Sequence, residues 1–177
     1  MANVNVIQSA QIVYGGGDLV ENRYKGDGTN ALKKGMLCYV NGGTVVPVRT
    51  TAGGLSTAGA PFDAAKKYVV SINDVAATTG FVAVQEVTVG THFEGYVVNQ
   101  AADDVTMDST DIGTLCAGYV DANGRLAVDN LVTNGIFYIK DVDVNYEPYK
   151  NGGEFEKDTD GVRHTRVIFR LIDSVTV

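Results

Sequence analysis

Residues 36–48 of the chain read MLCYVNGGTVVPV. Two apolar runs, residues 36–40 and 44–48, flank the tripeptide Asn41-Gly42-Gly43. Asn and Gly accept the positive φ angles that tight hairpin turns require, and Val and Tyr are favoured in strands. This stretch therefore predicts two antiparallel strands joined by a tight turn.

The composition extends this prediction to the whole chain of 177 residues. Val occurs 27 times and Leu only 8 times. This ratio favours strands, because β-branched side chains lose rotamer freedom in helices and pack well on pleated sheets. The chain has 21 Gly and 3 Pro, which indicates turns built from Gly and Asn. We therefore expect an all-β fold, either a small β-sandwich or a β-barrel with an extended N-terminal arm.

Further strands are predicted where apolar runs lie between turn residues. The candidates are residues 68–72, 81–89, 92–99, 112–120, 125–128, 136–144 and 162–172. Residues 49–60 and the acidic residues 101–111 are predicted to be surface loops. A single short helix is expected at residues 61–67, which have Pro at their start.

Residues 1–31 are predicted to form an N-terminal arm or long loop, outside a single β domain at residues 32–177. Residues 15–31 are polar and rich in Gly, and no helical period is present. Such an arm would contribute little to folding, and its apolar residues could contact a partner: Val4, Val6, Ile7, Ile12, Val13 and Leu19. The alternative is that residues 11–14 pair as an edge strand of the domain itself.

The charge and the apolar runs disfavour two classes of partner. The net charge is -7 and the pI is about 4.7, so the surface should repel phosphate backbones and we expect no nucleic-acid partner. No apolar run approaches the roughly 20 residues of a membrane-spanning helix. Residues 1–5 also lack the basic and apolar regions of a signal peptide. We therefore expect no membrane partner.

Residues that carry catalysis are scarce, with two His, two Cys and no Trp. Cys38 and Cys116 lie in apolar runs and are expected to be buried, reduced thiols. A disulfide between them is the alternative, and it would require an oxidising compartment. His92 and His164 belong to no ligand-spaced cluster and are expected to be ordinary strand or surface residues. We therefore expect no catalytic, cofactor-binding or metal-binding residues, no cofactor, and no enzymatic activity.

Three short motifs resemble ligand-binding loops but lack the required context. Residues 156–161, EKDTDG, match the first half of a calcium-binding loop, but Val167 stands where the final Glu ligand is needed. Residues 26–31 partly match a dinucleotide fingerprint without a βαβ context. The glycines at 15–17 are not followed by the Lys and Ser or Thr of a phosphate-binding loop. We interpret all three as turns or loops.

The last predicted strand has two chemically different faces, because side chains alternate along a strand. The face expected in the core comprises Val167, Phe169 and Leu171, and the other comprises His164, Arg166, Ile168, Arg170 and Ile172. The cations could face an acidic partner. We favour internal pairing, with Asp141 and Asp143 of a neighbouring strand opposite Arg166 and His164.

Residues 35–46 and 113–128 echo each other. Each has a Gly entry, a Leu-Cys pair, a Tyr-Val pair before a Gly-containing turn, and an apolar return strand. An internal duplication would explain this. Strands and Gly turns reuse few residue types, however, so we favour independent hairpins of similar chemistry.

Residues 31–48, ALKKGMLCYVNGGTVVPV, resemble a recurring piece of small tailed-bacteriophage capsid proteins. In those proteins a basic-Gly entry leads to an apolar strand, an Asn/Asp-Gly turn and a Val-rich return strand. The Ala/Gly/Thr-rich residues 50–60, and residues 111–115 with the turn at 121–124, share this style. Over residues 31–128 the chain therefore resembles capsid decoration (cement) proteins.

The resemblance implies a structural protein that binds the major capsid protein on the outer surface of an assembled shell and stabilises the shell. It implies a homotrimer at three-fold positions, made in the host cytoplasm and located on the virion. The alternatives are another virion part, such as a head-fibre, tail or receptor-binding module, and a carbohydrate-binding β-sandwich or an unrecognised hydrolase. For sugar stacking, the candidate aromatic residues are Tyr138, Tyr146 and Tyr149.

Overall fold

A computed structural model of the chain describes residues 9–48, 53–55, 66–99, 107–121, 124–130, 135–142, 156–157 and 163–172. This part of the chain contains fourteen strands and one turn of 3-10 helix, Ser109–Asp111. The strands are β1 Gln11–Tyr14, β2 Leu19–Gly26, β3 Leu37–Asn41, β4 Thr44–Pro47, β5 Gly53–Leu55, β6 Lys67–Ser71, β7 Phe81–Val87, β8 His92–Val98, β9 Leu115–Val120, β10 Leu126–Asp129, β11 Phe137–Val142, β12 Glu156–Lys157, β13 Arg163–His164 and β14 Arg166–Leu171. No helix within these ranges is long and apolar enough to cross a membrane. The predicted all-β fold is confirmed.

The first barrel is formed by five strands in the order β2-β4-β3-β6-β7, and it closes because β7 pairs with β2. The predicted hairpin of residues 36–48 supplies β3 and β4, and Gly42 and Gly43 of its turn have φ angles of 55° and 85°. Alternate residues of each strand point inward, and half of the buried residues at the interior are Val. Its buried residues are Tyr24, Leu32, Met36, Cys38, Val45, Val69, Val82 and Val84.

The second barrel has the order β8-β10-β9-β11-β14 and closes because β14 returns to pair with β8. Three fully buried rings pack in its core: Phe93 lies 5.4 Å from Phe169 and 6.0 Å from Phe137, and Phe137 lies 5.0 Å from Phe169 between ring centroids. The last strand buries Val167, Phe169 and Leu171, as alternation predicts. Strand β1 adds to β8, and β5 adds to β9.

The two barrels share one topology. Numbered in chain order within each barrel, the first strand is parallel to the third, and the sequence around the barrel is first, third, second, fourth, fifth. The two echoing sequence segments supply the second and third strands in both cases. Cys38 and Cys116 each lie on a second strand, fully buried and free, as predicted. Identical topology supports internal duplication over the independent origin that the sequence analysis favoured.

The prediction of an arm or loop is wrong for much of the N-terminal segment. Residues 11–14 form β1, which pairs antiparallel with β8, so the edge-strand alternative holds. Residues 19–26 form β2, which is a wall of the first barrel and pairs with β7 and β4. Tyr24 of this strand is only 5 % exposed and lies in the barrel core. The Gly-rich, polar segment therefore still supplies an aromatic ring to the core. Residues 1–8 lie outside the described part.

Other loop and helix predictions have mixed outcomes. The predicted loop at residues 49–60 contains the short strand β5, and its remaining residues lie outside the described part. Residues 61–65 of the predicted helix are also outside it, and Lys67 begins β6. In the predicted acidic loop, Asp108 caps the 3-10 helix by accepting a hydrogen bond from the Thr110 backbone.

The prediction that a cation of the last strand pairs within the chain is confirmed, but its partner is not the predicted one. Asp141 lies opposite Ile168 in the β11–β14 ladder. Arg166 instead forms an ion pair with Glu94 of β8 on its other side. Closure of the barrel gives β14 two neighbouring strands, β11 and β8. The hairpin pattern in the sequence predicts only the pairing with β11.

Candidate interaction surface at the barrel junction

Two short connections join the barrels side by side. Residues 15–18 lead from β1 to β2, and residues 88–91 lead from β7 to β8. The backbone NH of Gly17 donates to the carbonyl of Glu86 at 2.8 Å, and the NH of Glu86 donates to the carbonyl of Asp18 at 3.1 Å. The hydroxyl of Thr91 donates to the carbonyl of Gly15 at 3.2 Å. These bonds hold the two connections together at the place where the barrels meet.

The glycines at 15–17 serve this close approach. Gly15 has a φ angle of +68°, which L residues rarely adopt. A Cβ atom at Gly15 would lie 3.0 Å from the carbonyl oxygen of Gly90 on the other connection. The run of glycine that resembles a phosphate-binding loop therefore has a packing role at the junction.

Four exposed apolar side chains lie on these connections or on the strand residues beside them. They are Val13, Tyr14, Leu19 and Val89, with exposed fractions of 46 %, 72 %, 60 % and 58 %. We call this set the junction surface. Exposed apolar clusters in a polar protein commonly mark contact sites for other molecules. The sequence analysis included Val13 and Leu19 among possible contact residues, and both are exposed here on folded barrels.

Tyr14 is held in place by His92. Their rings meet edge to face, with centroids 5.3 Å apart. The Nδ1 atom of His92 is buried and has no hydrogen-bond partner among the described residues. His92 is thus a supporting residue beneath the junction surface, in agreement with its interpretation as a strand residue. His164 lies on a different strand, β13, paired with β12.

A pocket of about 280 Å3 adjoins the junction surface. Its apolar lining includes Ile12, Val70 and Ile72, and its polar lining includes Gln11, Lys34 and Gln85. Gln11 and Ile12 belong to β1, and Gln85 is paired with exposed Leu19. The pocket therefore lies between the barrels and next to the exposed apolar residues, where a partner's side chain could enter.

Among the residues that the structure describes, none of the three ligand motifs of the sequence forms a ligand site. Glu156 and Lys157 form β12, while residues 158–161 lie outside the described part. The Asp27 carboxylate accepts hydrogen bonds from the backbone of Thr29 and Asn30, so residues 26–31 close a turn on themselves. Within the described ranges, no three His, Cys, Asp or Glu residues are grouped as metal ligands would be. Tyr138 lies in β11, and Tyr146 and Tyr149 are outside those ranges.

The two thiols are unsuited to nucleophilic chemistry in the folded state. Burial raises the pKa of Cys38 to about 12, with a smaller contribution from Asp27. Burial likewise raises the pKa of Cys116 to about 12, with smaller contributions from Asp129 and Asp111. Since the thiolate is the reactive form, both residues are expected to be inert at neutral pH.

Sequence reasoning missed the junction surface as a unit. Its four residues come from two segments about 70 positions apart, and their proximity depends on the pairing of β1 with β8 and of β2 with β7. A partial signal was present, since Val13 and Tyr14 directly precede the three glycines.

Comparison of the chain with protein-family models, with curated proteins and with solved structures found no significant match.

Proposed function

We propose that this chain is a structural virion protein that binds the outer surface of a capsid and stabilises the shell. The observation that carries the proposal is the junction surface, four exposed apolar side chains beside a pocket on a hydrogen-bonded connection between two barrels. Rigid, exposed apolar residues lose little entropy when they dock, which suits a contact made with a large protein surface.

The partner in this proposal is the major capsid protein. This part rests on the resemblance of residues 31–128 to tailed-phage decoration proteins. The acidic composition agrees with a location on the outside of a shell, away from the packaged nucleic acid. On the same grounds we propose production in the host cytoplasm and a place on the finished virion.

A homotrimer is part of the same proposal. A three-fold position on a shell offers one contact three times, so a trimer multiplies a weak contact by avidity. The junction surface would then bind once per copy, so that three weak contacts act together.

Co-sedimentation with intact particles of the virus that encodes the chain tests the proposal. The variant Tyr14→Ser/Leu19→Ser removes two side chains that are 72 % and 60 % exposed. Burying them would contribute about 2–4 kcal/mol together, so their loss should weaken binding roughly thirty- to a thousand-fold. The matched control is Ile112→Ser, which removes an apolar side chain that is 43 % exposed and lies away from the junction. Equal binding by the double variant and the control, or failure of the wild type to co-sediment, would refute the proposal.

A second candidate function is carbohydrate binding, and a specific observation favours it. Tyr14 is an exposed ring in the same strand as Gln11, whose side chain lines the pocket with Gln85. An exposed aromatic ring can stack on a sugar, and amide groups that line a pocket can hydrogen-bond it. Binding on a glycan array that is lost in Tyr14→Ser would support this candidate, and absence of binding to all glycans would exclude those tested.

A further inference from the structure

Four adjacent strands of the second barrel carry a row of aromatic and cationic residues on their outward face. The strands lie side by side in the order β1, β8, β14, β11. Tyr14 lies opposite His92, and His92 lies opposite Arg170. Arg170 in turn lies opposite Tyr138. The last three residues adjoin buried core residues along their strands and so point away from the core, and the Tyr14 ring contacts His92. We call these four residues the outer row.

The outer row is long enough to contact several units of a chain-like ligand. Neighbouring strands are about 4.8 Å apart, so the three spacings from β1 to β11 separate Tyr14 from Tyr138 by about 14 Å. Tyr14 is 72 % exposed, and Tyr138 is half-buried. The row therefore presents an aromatic ring near each end and a guanidinium between them.

Arg170 is the permanent cation of the row, and it has no carboxylate partner. It is exposed and forms no ion pair or hydrogen bond with the residues that the structure describes. Four other cations there each pair with a carboxylate: Lys33, Lys67, Arg125 and Arg166. Residues 88–177 contain fifteen Asp and Glu against seven Lys and Arg. Carboxylates are thus plentiful in this half of the chain, and Arg170 is left unpaired by its position.

The acidic residues nearest to the row on this face are otherwise engaged. Glu94 lies opposite Ile168, one row further along the same strands, and pairs with Arg166. Asp141 lies opposite Ile168 on the other side, and its carboxylate accepts a hydrogen bond from the next backbone NH. The charge of Arg170 is therefore available to an anion from outside the chain.

The backbone beside the row leaves room for such an anion. A Cβ atom at Gly90 would lie 3.5 Å from one terminal nitrogen of Arg170 and 3.8 Å from its Nε. A Cβ atom at Gly113 would likewise lie 3.7 Å from the hydroxyl oxygen of Tyr138. Since glycine carries no side chain, both polar groups border bare backbone that a ligand can approach.

We propose that the outer row binds an acidic polysaccharide, with a uronic acid carboxylate on Arg170 and neighbouring sugar rings against Tyr14 and Tyr138. A guanidinium offers paired NH donors that match the two oxygens of a carboxylate. Exposed aromatic rings can stack on sugars. One cation between two rings fits a chain with spaced carboxylates better than a densely sulfated one, which Glu94 and Asp141 would repel. The proposal deepens the second candidate function, carbohydrate binding, and rests on it for the role of Tyr14.

Isothermal titration calorimetry of the full chain with polygalacturonate, alginate and hyaluronan tests the proposal, with dextran as the neutral polymer. We expect binding of at least one polyuronate and none of dextran. Raising NaCl from about 50 to about 500 mM should weaken binding, because screening acts on exposed charges. Arg170→Gln should weaken it roughly tenfold or more, because charge-assisted hydrogen bonds are lost. Arg23→Gln is the matched control, the same change at an exposed arginine of the first barrel, and should bind as the wild type does.

The ring at the far end of the row provides a second pair of variants. Tyr138→Ala should weaken polyuronate binding, because it removes a stacking ring, whereas Tyr138→Phe keeps the ring and should retain binding. Far-ultraviolet circular dichroism checks that both variants are folded. Equal binding by a folded Tyr138→Ala variant would overturn the assignment of this ring to the site.

Three results would overturn the acidic ligand. Polyuronate binding that Arg170→Gln retains, or equal binding of dextran, would do so and leave carbohydrate binding at Tyr14 standing. Tighter binding of dextran sulfate than of any polyuronate would show that the site responds to charge density alone. Absence of binding to all three polyuronates is the third, and the carbohydrate candidate would then be decided by the glycan array. Capsid co-sedimentation of Arg170→Gln, which leaves the junction surface intact, is a separate readout of the proposed function.

Discussion

Replacing Gly15 by Ala should destabilise the protein much more than replacing Gly42 by Ala. Both glycines have a left-handed backbone, with φ angles of +68° and +55°. A Cβ atom at Gly42 would meet nothing within 4 Å, whereas one at Gly15 would lie 3.0 Å from the carbonyl oxygen of Gly90. The pair of variants therefore separates the cost of backbone conformation from the cost of crowding at the junction.

The expected magnitudes follow from these two differences. A left-handed Ala costs about 1–2 kcal/mol, and lower entropy of the unfolded chain offsets about 0.4–1 kcal/mol of that, so Gly42→Ala should cost about 0.5–1 kcal/mol. Gly15→Ala adds an overpacking cost of about 1–3 kcal/mol, because the Gly90 carbonyl belongs to a connection held by hydrogen bonds. We expect Gly15→Ala to cost about 1.5–4 kcal/mol in total.

Urea unfolding followed by far-ultraviolet circular dichroism measures both variants. The difference of about 1–3 kcal/mol between them should also appear as a difference in Tm of roughly 2–12 °C, since about 2–4 °C corresponds to 1 kcal/mol in a chain of this size. Equal free energies of unfolding for Gly15→Ala and Gly42→Ala would refute the reasoning. That result would mean that the connection at Gly90 moves aside at little cost.

Four further predictions concern the barrel cores, the thiols and the pH dependence of stability. Phe169→Ala should cost about 3–5 kcal/mol in urea unfolding, whereas Phe81→Ala, at an exposed site, should cost well under about 1 kcal/mol. Because burial raises the pKa of Cys38 and Cys116 to about 12, a thiol reagent at pH 8 should label neither in native protein and both in guanidinium. The raised pKa also means that the stability contributed by these thiols is complete below about pH 8.5 and declines as the pH rises towards 12. Slight burial raises the pKa of Asp27, but hydrogen bonds from Asn30 and Thr29 outweigh it and the pKa is lowered. The stability from Asp27 is therefore present above about pH 4 and lost in more acidic solution, so wild type should lose more stability than Asp27→Asn as the pH falls from 5 to 2.

Local patterns were sufficient for most of the strands. The Asn41-Gly42-Gly43 turn forms the predicted hairpin, and the alternation along β14 correctly separates Phe169 from Arg170. Both cysteines are buried as their apolar neighbours indicate. These predictions succeed because turn conformation and side-chain alternation depend on a few consecutive residues.

The N-terminal segment shows where such patterns fail. Residues 19–26, LVENRYKG, have little alternation and several polar residues, yet they form a wall of the first barrel. A bulge accounts for part of this, since the β2–β7 register shifts between Val20 and Tyr24 and Asn22 has a φ angle of 57°. Between these two pairs β2 advances four residues and β7 only two, so two extra residues interrupt the regular pairing on which strand prediction depends.

The sequence by itself determined the β class, the turn positions, the inward faces of the main strands and the burial of the thiols, because each depends on neighbouring residues. Tertiary structure alone decided that the strands close into two barrels of one topology, that Arg166 pairs with Glu94, and that the segments holding Val13, Tyr14, Leu19 and Val89 meet at the barrel junction with these side chains exposed. These features depend on which distant strands pair. The choice is made by the fit of whole hydrophobic faces and by closure of the hydrogen-bond ladder, neither of which is encoded in any single segment.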